Sequence, residues 1–321
     1  MPVFPKPKFV FDYDVAQEIA RLRQHKQVRK IPQREKDKLL IATWNLANLG
    51  AQQRRNPDRT VIAEILSWFD IIAIQECREN FADLFTIQNE LGKSYRVVMS
   101  DASGNNERMA FLYDSKKVTL LEEIGEIAFP PSRYKTVKLP GIERPFDGFD
   151  RTPFLVAFSM NGTSLMLVNV HLYFGDDSPE SMARRSLETF AVAKWADLRR
   201  KSQFSFTREL MIMGDFNMPK CEPGDPIYKA LTRLGLELPE HSTQIASNIA
   251  NDANYDQIAF LPETTRNCFT GLKGVFDYDG VVFPDLWQEG KNVKNFRAYL
   301  RYYISDHRPM WVQLSAKPCT G

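Results

Sequence analysis

The chain has 321 residues, 43% of them apolar and 12% aromatic, enough to bury a large core in one domain and to confine expected disorder to the ends. A net charge of +2 excludes an indiscriminate polycation, and no apolar run approaches the roughly 18 residues of a bilayer-spanning helix. The opening Met1-Pro2-Val3-Phe4-Pro5-Lys6 lacks the apolar stretch of a signal peptide, so a soluble, cytoplasmic protein is expected, with Cys77, Cys221, Cys268 and Cys319 read as free thiols because no C-x-x-C spacing is present.

In chain order, Asp14 to Leu22 carries apolar positions at helical spacing, and Pro32 closes this first helix. Residues 21 to 38 hold eight Lys or Arg against two acids; either a solvated helix face or a phosphate-binding arm accounts for that excess. Leu39 to Trp44 is an apolar run too short for a helix and stops at Asn45, as a buried strand with a polar tip would. Asn56-Pro57-Asp58 opens a second helix that feeds the strand Ile71 to Ile74, which ends in Gln75-Glu76.

The same grammar recurs. Met109 to Tyr113 is a strand entered through Glu107-Arg108, and Phe154 to Phe158 one entered through Asp150-Arg151. Ser164 to Phe174 spans a further strand, broken by Asn169 and His171, before Ser178-Pro179-Glu180 starts a long helix. Leu210 to Met213 runs into Gly214-Asp215-Phe216-Asn217, and Asp225-Pro226 opens a helix that Gly235 ends. Tyr255 to Phe260 and Met310 to Leu314 close the series, the last preceded by Ser305-Asp306-His307-Arg308-Pro309. There is no G-x-x-x-x-G-K and no G-x-G-x-x-G between strand and helix, so nucleotide binding of those kinds is not supported.

Asn45, Glu76, Glu107, His171, Asp215, Asn217, Asp256, Asp306 and His307 all lie at or beside the end of an apolar run, so burying the strands carries them to one rim. A set of carboxylates and carboxamides suits Mg²⁺ or Mn²⁺, and the lack of closely spaced His or Cys pairs disfavours zinc. A hard cation there neutralises phosphate oxygens while a carboxylate or imidazole activates water for in-line attack.

The ordered series Trp44-Asn45-Leu46, Gln75-Glu76, Glu107-Arg108-x-Ala110-Phe111-Leu112-Tyr113, Asn169-Val170-His171-Leu172, Gly214-Asp215-Phe216-Asn217, Tyr255-Asp256-x-Ile258 and Ser305-Asp306-His307-Arg308-Pro309 resembles the endonuclease/exonuclease/phosphatase superfamily from about residue 39 to 315. The resemblance implies an α/β (α+β) fold, a four-layer α/β-β/α sandwich of two mixed β-sheets flanked by helices with the site at one end. It divides the chain into a basic N-terminal helical extension (1–38), a catalytic domain (39–316) and a tail (317–321). It also implies roles. Glu76 would be the principal metal ligand, with Asn45 and Asp306 beside it at metal and phosphate. Asp215 and Asn217 would position water and phosphate. His307 would be the general base and His171 would stabilise the phosphate or protonate the leaving oxygen, with Asp256 and Glu107 orienting the two imidazoles. Asn169 would support the substrate side of His171, and Arg108 and Arg151 would contact phosphate or brace the rim through ion pairs.

Within that superfamily Glu107 to Tyr113 and Tyr255 to Ile258 look more like the deoxyribonuclease I branch. The expected activity is therefore a Mg²⁺-dependent DNA endonuclease acting as a monomer, with a phosphatase or phosphodiesterase on inositol-phosphate or phospholipid substrates as the alternative. Lys291, Lys294, Arg297, Tyr299, Arg301, Tyr302 and Tyr303 interleave bases with aromatics just before the Asp306-His307 pair, a composition suited to a nucleic-acid backbone and to base stacking, or to a solvated strand packing its tyrosines inward.

Overall fold

The strand β1 (Lys38–Leu49) is buried from its second residue onward, as a strand covered on both faces must be. A computed structural model describes the chain over residues 3–240, 244–261, 265–288 and 293–315, without the side chains of 266 and 267. His241, Lys291 and Cys319, and with them the expected tail 317–321, lie outside the described residues. In chain order the elements are α1 (Val15–Val28), β1, α2 (Asn56–Leu66), β2 (Ile71–Cys77), α3 (Ala82–Leu91), β3 (Tyr95–Met99), β4 (Arg108–Asp114), β5 (Thr119–Glu126), α4 (Pro131–Tyr134) and β6 (Phe154–Met160). There follow β7 (Thr163–His171), α5 (Pro179–Lys201), β8 (Leu210–Asp215), α6 (Pro226–Thr232), β9 (Asp256–Phe260), β10 (Phe269–Val275), α7 (Pro284–Trp287), α8 (Val293–Tyr303) and β11 (Met310–Ser315).

Among the described residues two mixed sheets form, six strands in the order β10-β11-β1-β2-β4-β3 and five in the order β5-β6-β7-β8-β9. Their facing surfaces enclose an apolar layer in which Phe111 meets both Phe154 and Phe158 at 5.8 Å between ring centroids. Helices α1, α2, α3 and α8 cover the outer face of the larger sheet, and α5 and α6 that of the smaller. This is the expected four-layer sandwich.

The topology explains why the polar tips converge. β1 and β2 are parallel, as are β7 and β8, so Asn45, Glu76, His171 and Asp215 all approach the same end as those strands finish. β4, β9 and β11 run antiparallel to these neighbours, so Glu107, Asp256 and His307 meet that end as their strands begin. Register does the rest: His171 pairs with Asp215, and Asp215 with Asp256.

Two sequence expectations need correction. The basic segment 21–38 is not a free arm, because several of its cations are engaged with the body, while Lys30 and Lys36 stay exposed. Arg23 donates to both oxygens of Glu64 at 2.8 and 2.9 Å, His25 and Arg29 each lie 2.7 Å from Asp277, and Arg34 donates to Asp70 at 2.6 Å. Leu22 and Ile31 enter the same core as α2, since an amphipathic helix is stable only when its apolar stripe is covered. Nor are all four cysteines free: Cys77 and Cys221 are free thiols, whereas Cys268 is disulfide-bonded.

Because Leu22 is fully buried, Leu22→Ala is expected to lower stability by about 2–5 kcal/mol. Urea denaturation checks this, and an unchanged midpoint would show that Leu22 contributes nothing to the core.

Candidate active site

At the rim, Asp215 ends β8 and is fully buried. Its Oδ1 accepts from the Asn217 backbone N–H at 2.8 Å and its Oδ2 from Asn45 Nδ2 at 3.1 Å. Two imidazoles point at that same Oδ2, His171 Nε2 at 3.7 Å and His307 Nε2 at 3.9 Å. Each imidazole has its own carboxylate behind it. His307 Nδ1 is 2.8 Å from Asp256 Oδ2 in a well-formed hydrogen bond. His171 Nδ1 is 3.0 Å from Glu107 Oε2.

Local sequence explains these positions. Gly214 adopts φ +134°, and a Cβ there would fall 2.1 Å from the Val170 carbonyl oxygen, so only glycine lets β8 approach β7 closely enough to present Asp215. Glu76, Asn48 and Asn217 all take left-handed backbone, with φ of 61°, 50° and 50°. Asparagine tolerates this; for Glu76 it costs on the order of 1–3 kcal/mol, a strain that clusters at functional sites. The Glu76 carboxylate is held there by Asn45 Nδ2 at 3.0 Å and the Asn48 N–H at 2.8 Å. Ser305 fixes the opposite wall. Its hydroxyl donates to the Asn45 carbonyl at 2.6 Å and accepts from the His307 N–H at 3.0 Å.

Burial sets the electrostatics. It pushes the Asp256 carboxyl up to about 6, the neighbouring His307 charge notwithstanding. For His307 itself burial disfavours the proton, yet the Asp256 carboxylate outweighs that and holds the imidazole well above its ordinary 6.5. Burial also pushes Glu107 up, but the His171 imidazole and the Arg151 guanidinium prevail and bring it down to about 2. Asp306 is raised, by burial first and then by the Glu76 charge.

For a cation, the residues present fit. Asn45 Oδ1 and Asp306 Oδ1 are buried acceptors with no hydrogen-bond donor, and the Glu76 carboxylate stands beside Asn45; such oxygens suit a hard divalent ion. Among the described residues, Asp215, Asp256 and His307 also offer ligand atoms within 4.8 Å of one another. Asp256 and His307 are also hydrogen-bonded to each other within that group.

Of the groups expected near substrate, Asn169 faces away from the rim, while Arg151 and Arg108 take the bracing alternative expected for them. Asn169 is fully buried between the sheets, donating to the Ile74 and Ala110 carbonyls at 3.0 Å each and accepting from Gln75 at 2.6 Å. It serves to staple sheet to sheet, because a bulge between Ile74 and Cys77 interrupts the β2–β4 pairing there. Arg151 donates to the His171 and Leu172 carbonyls at 2.8 and 2.7 Å, bracing the rim. Arg108 is bound to the Ser100 carbonyl at 2.9 Å and to Asp101 at 3.0 Å. The stretch before Asp306 is the helix α8, not a strand, and Tyr299, Tyr302 and Tyr303 are buried in the core, which removes them from base stacking; Lys294, Arg297 and Arg301 are exposed. Sequence reasoning missed Arg78, whose guanidinium lies 3.2 Å from Glu107 and 2.7 Å from Asn48 Oδ1. Its place two residues after Glu76 was the available signal.

No family model matches the sequence, and no curated protein matches it. Solved structures do. An endonuclease/exonuclease/phosphatase family protein from Bacteroides thetaiotaomicron is 20% identical, with a TM-score of 0.54 over 86% of this chain and 97% of that one. A mannosyl-6-phosphatase from the same organism is 19% identical, with a TM-score of 0.54 over 86% and 99%. TDP2 of D. rerio, in complex with a single-strand DNA product, is 13% identical, with a TM-score of 0.54 over 87% and 99%. The architecture resolves accordingly: this chain has the deoxyribonuclease I-like fold of the endonuclease/exonuclease/phosphatase superfamily.

Proposed function

We propose that the protein is a divalent-metal-dependent phosphodiesterase that hydrolyses the DNA backbone as an endonuclease. One observation carries the reading: two imidazoles, each backed by its own buried carboxylate, face the same Asp215 oxygen from 3.7 and 3.9 Å. A base and an acid placed on two sides of one point are what in-line displacement at phosphorus requires. His307 Nε2 takes the proton of the attacking water as the oxygen–phosphorus bond forms, and Asp256 stabilises the resulting imidazolium. His171 donates a proton to the leaving oxygen, or holds the phosphate, as the opposite bond breaks. Asp215 and Asn45 align the two, while Asn217 lines the cleft with its Nδ2 committed to the Leu172 carbonyl at 2.7 Å. A divalent cation, Mg²⁺ or Mn²⁺, held by Glu76, Asn45 and Asp306 would supply charge neutralisation for the phosphate.

A phosphatase or phosphodiesterase on inositol-phosphate or phospholipid substrates is the second reading. It would use the same groups, and the mannosyl-6-phosphatase of B. thetaiotaomicron shares the fold. Supercoiled plasmid with Mg²⁺ separates the two. Nicking abolished by chelator supports the endonuclease; intact plasmid alongside phosphate release from inositol phosphates establishes the second reading.

His307→Ala and His171→Ala are each expected to lower kcat by about 10²- to 10⁴-fold, and a mild loss at either removes that residue from the chemistry. Asp256→Asn should approach His307→Ala in effect more closely than Asp306→Asn does. The pH profile carries an independent sign. A base must be unprotonated, so raised proton affinity places the acid limb above pH 6.5 in the wild type; removing the Asp256 charge lowers that affinity and moves the limb to lower pH. An unmoved limb in Asp256→Asn would assign it to another group.

A further inference from the structure

One wall of the cleft comes from the far N-terminus. A cavity of about 340 Å³ opens beside His307 and Asp306 and is lined also by Phe4, Phe174, Tyr255 and Arg301, a size within the range of ligand pockets, about 300–1,000 Å³. The three aromatic rings belong to separate segments, the residues before α1, the loop after β7 and the residue just before β9. Phe174 and Tyr255 meet edge to face with centroids 6.1 Å apart, and the Tyr255 ring lies 6.0 Å from that of His307. Buried Arg185 of α5 fixes this arrangement, its guanidinium 4.8 Å from the Phe174 centroid and donating to the Asn217 carbonyl at 3.2 Å.

Phe4 is half-buried, with the Arg301 guanidinium 5.7 Å from its ring centroid. The segment that bears it is anchored downstream. Phe9 and Phe11 pack against Tyr299 at 6.3 and 5.4 Å, and Tyr13 against Phe283 at 4.6 Å. Pro5 and Pro7 lie between that anchor and Phe4 and restrict the backbone, so presenting the ring at the cleft costs less entropy than from a flexible tail. Phe4 packs against the core cluster that contains Tyr299 and also lines the same cavity as His307 and Asp306, so its ring is supported from behind and presented at the cleft.

Resting on the phosphodiesterase reading above, we propose that Phe4 is a specificity-determining residue, the wall on which a nucleobase beside the scissile phosphate stacks. Aromatic rings accept any base by its π-face, and each stacked base is worth roughly a five- to hundredfold change in affinity. Exposed Arg301, bound only loosely to Asp306 at 3.9 Å, stands where a neighbouring phosphate would pass. The cleft thereby takes a base-bearing phosphodiester in preference to a bare sugar phosphate.

The test is equilibrium binding, by isothermal titration with Mg²⁺ present and a hydrolysis-resistant phosphorothioate linkage, of the thymidine dinucleotide TpT and of the same dinucleotide without its bases. Wild type is expected to bind TpT at least about tenfold more tightly. Phe4→Ala should remove most of that preference while leaving affinity for the base-free ligand and the melting temperature in place, and Phe4→Trp should retain the preference. A wild type with no preference for TpT, or a Phe4→Ala protein weakened equally toward both ligands, overturns the proposal. Plasmid nicking reports on the phosphodiesterase reading separately: a protein that nicks DNA without Phe4-dependent preference refutes this inference alone, and one that shows the preference but never nicks refutes only the reading beneath it.

Discussion

A carboxylate taken out of water is costly unless donors and positive charge replace its hydration, and Asp215 is fully buried. Burial pushes its carboxyl up; the charges of His307 and His171, with the Asn217 and Asn45 donors, outweigh that and hold it below its ordinary value. Every other position at the rim follows from this compensation. The imidazoles must approach Asp215, so each needs an anchor on its far side, and those anchors, Asp256 and Glu107, are themselves buried charges that require partners.

The two anchors are unequal. Glu107 is shared among His171, Arg78 at 3.2 Å and Arg151 at 3.8 Å, and so stays firmly ionised. Asp256 faces the His307 imidazole, with a serine hydroxyl as its further partner, and is poised near neutrality. Environments that push two similar groups apart in proton affinity are how one site supports both acid and base chemistry. The difference arises from which cations the fold brings near each carboxylate rather than from the carboxylates themselves.

The N-terminal segment extends this dependence. Several of its cations are matched to acids of the body, its aromatic residues complete the core around Tyr299, and Phe4 reaches the cleft. A region that composition presents as a charged appendage is thus part of the structure that supports the site.

Much of the fold was legible. The interior strands β1, β2, β4, β6, β7, β8 and β11 and the long helix α5 announce themselves as apolar runs or capped helical periods. The strands that escaped notice, β3, β5 and β10, all lie at sheet edges, where half-exposed residues such as those of β5 leave no continuous apolar signal. The helix α8 reads as a possible strand because its three tyrosines favour extended chain, although Phe296, Tyr299, Leu300 and Tyr303 follow a helical spacing.

Sequence by itself determined which residues stand at strand ends, because the alternation of apolar run and polar tip is imposed by burial and needs no partner to be read. Alternation along extended chain set adjacent Asp306 apart from His307, and the family resemblance supplied Asp256 as its partner; the two lie 2.8 Å apart. Only the tertiary structure decided which polar side chains gather at the rim and which hold the scaffold. Asn169 and His171 share a face of β7, yet one meets the opposing sheet and the other the rim, and Phe4 and His307 lie at opposite ends of the chain but border one cleft. Such assignments depend on what packs against each residue from distant segments, and that is a property of the folded contacts alone.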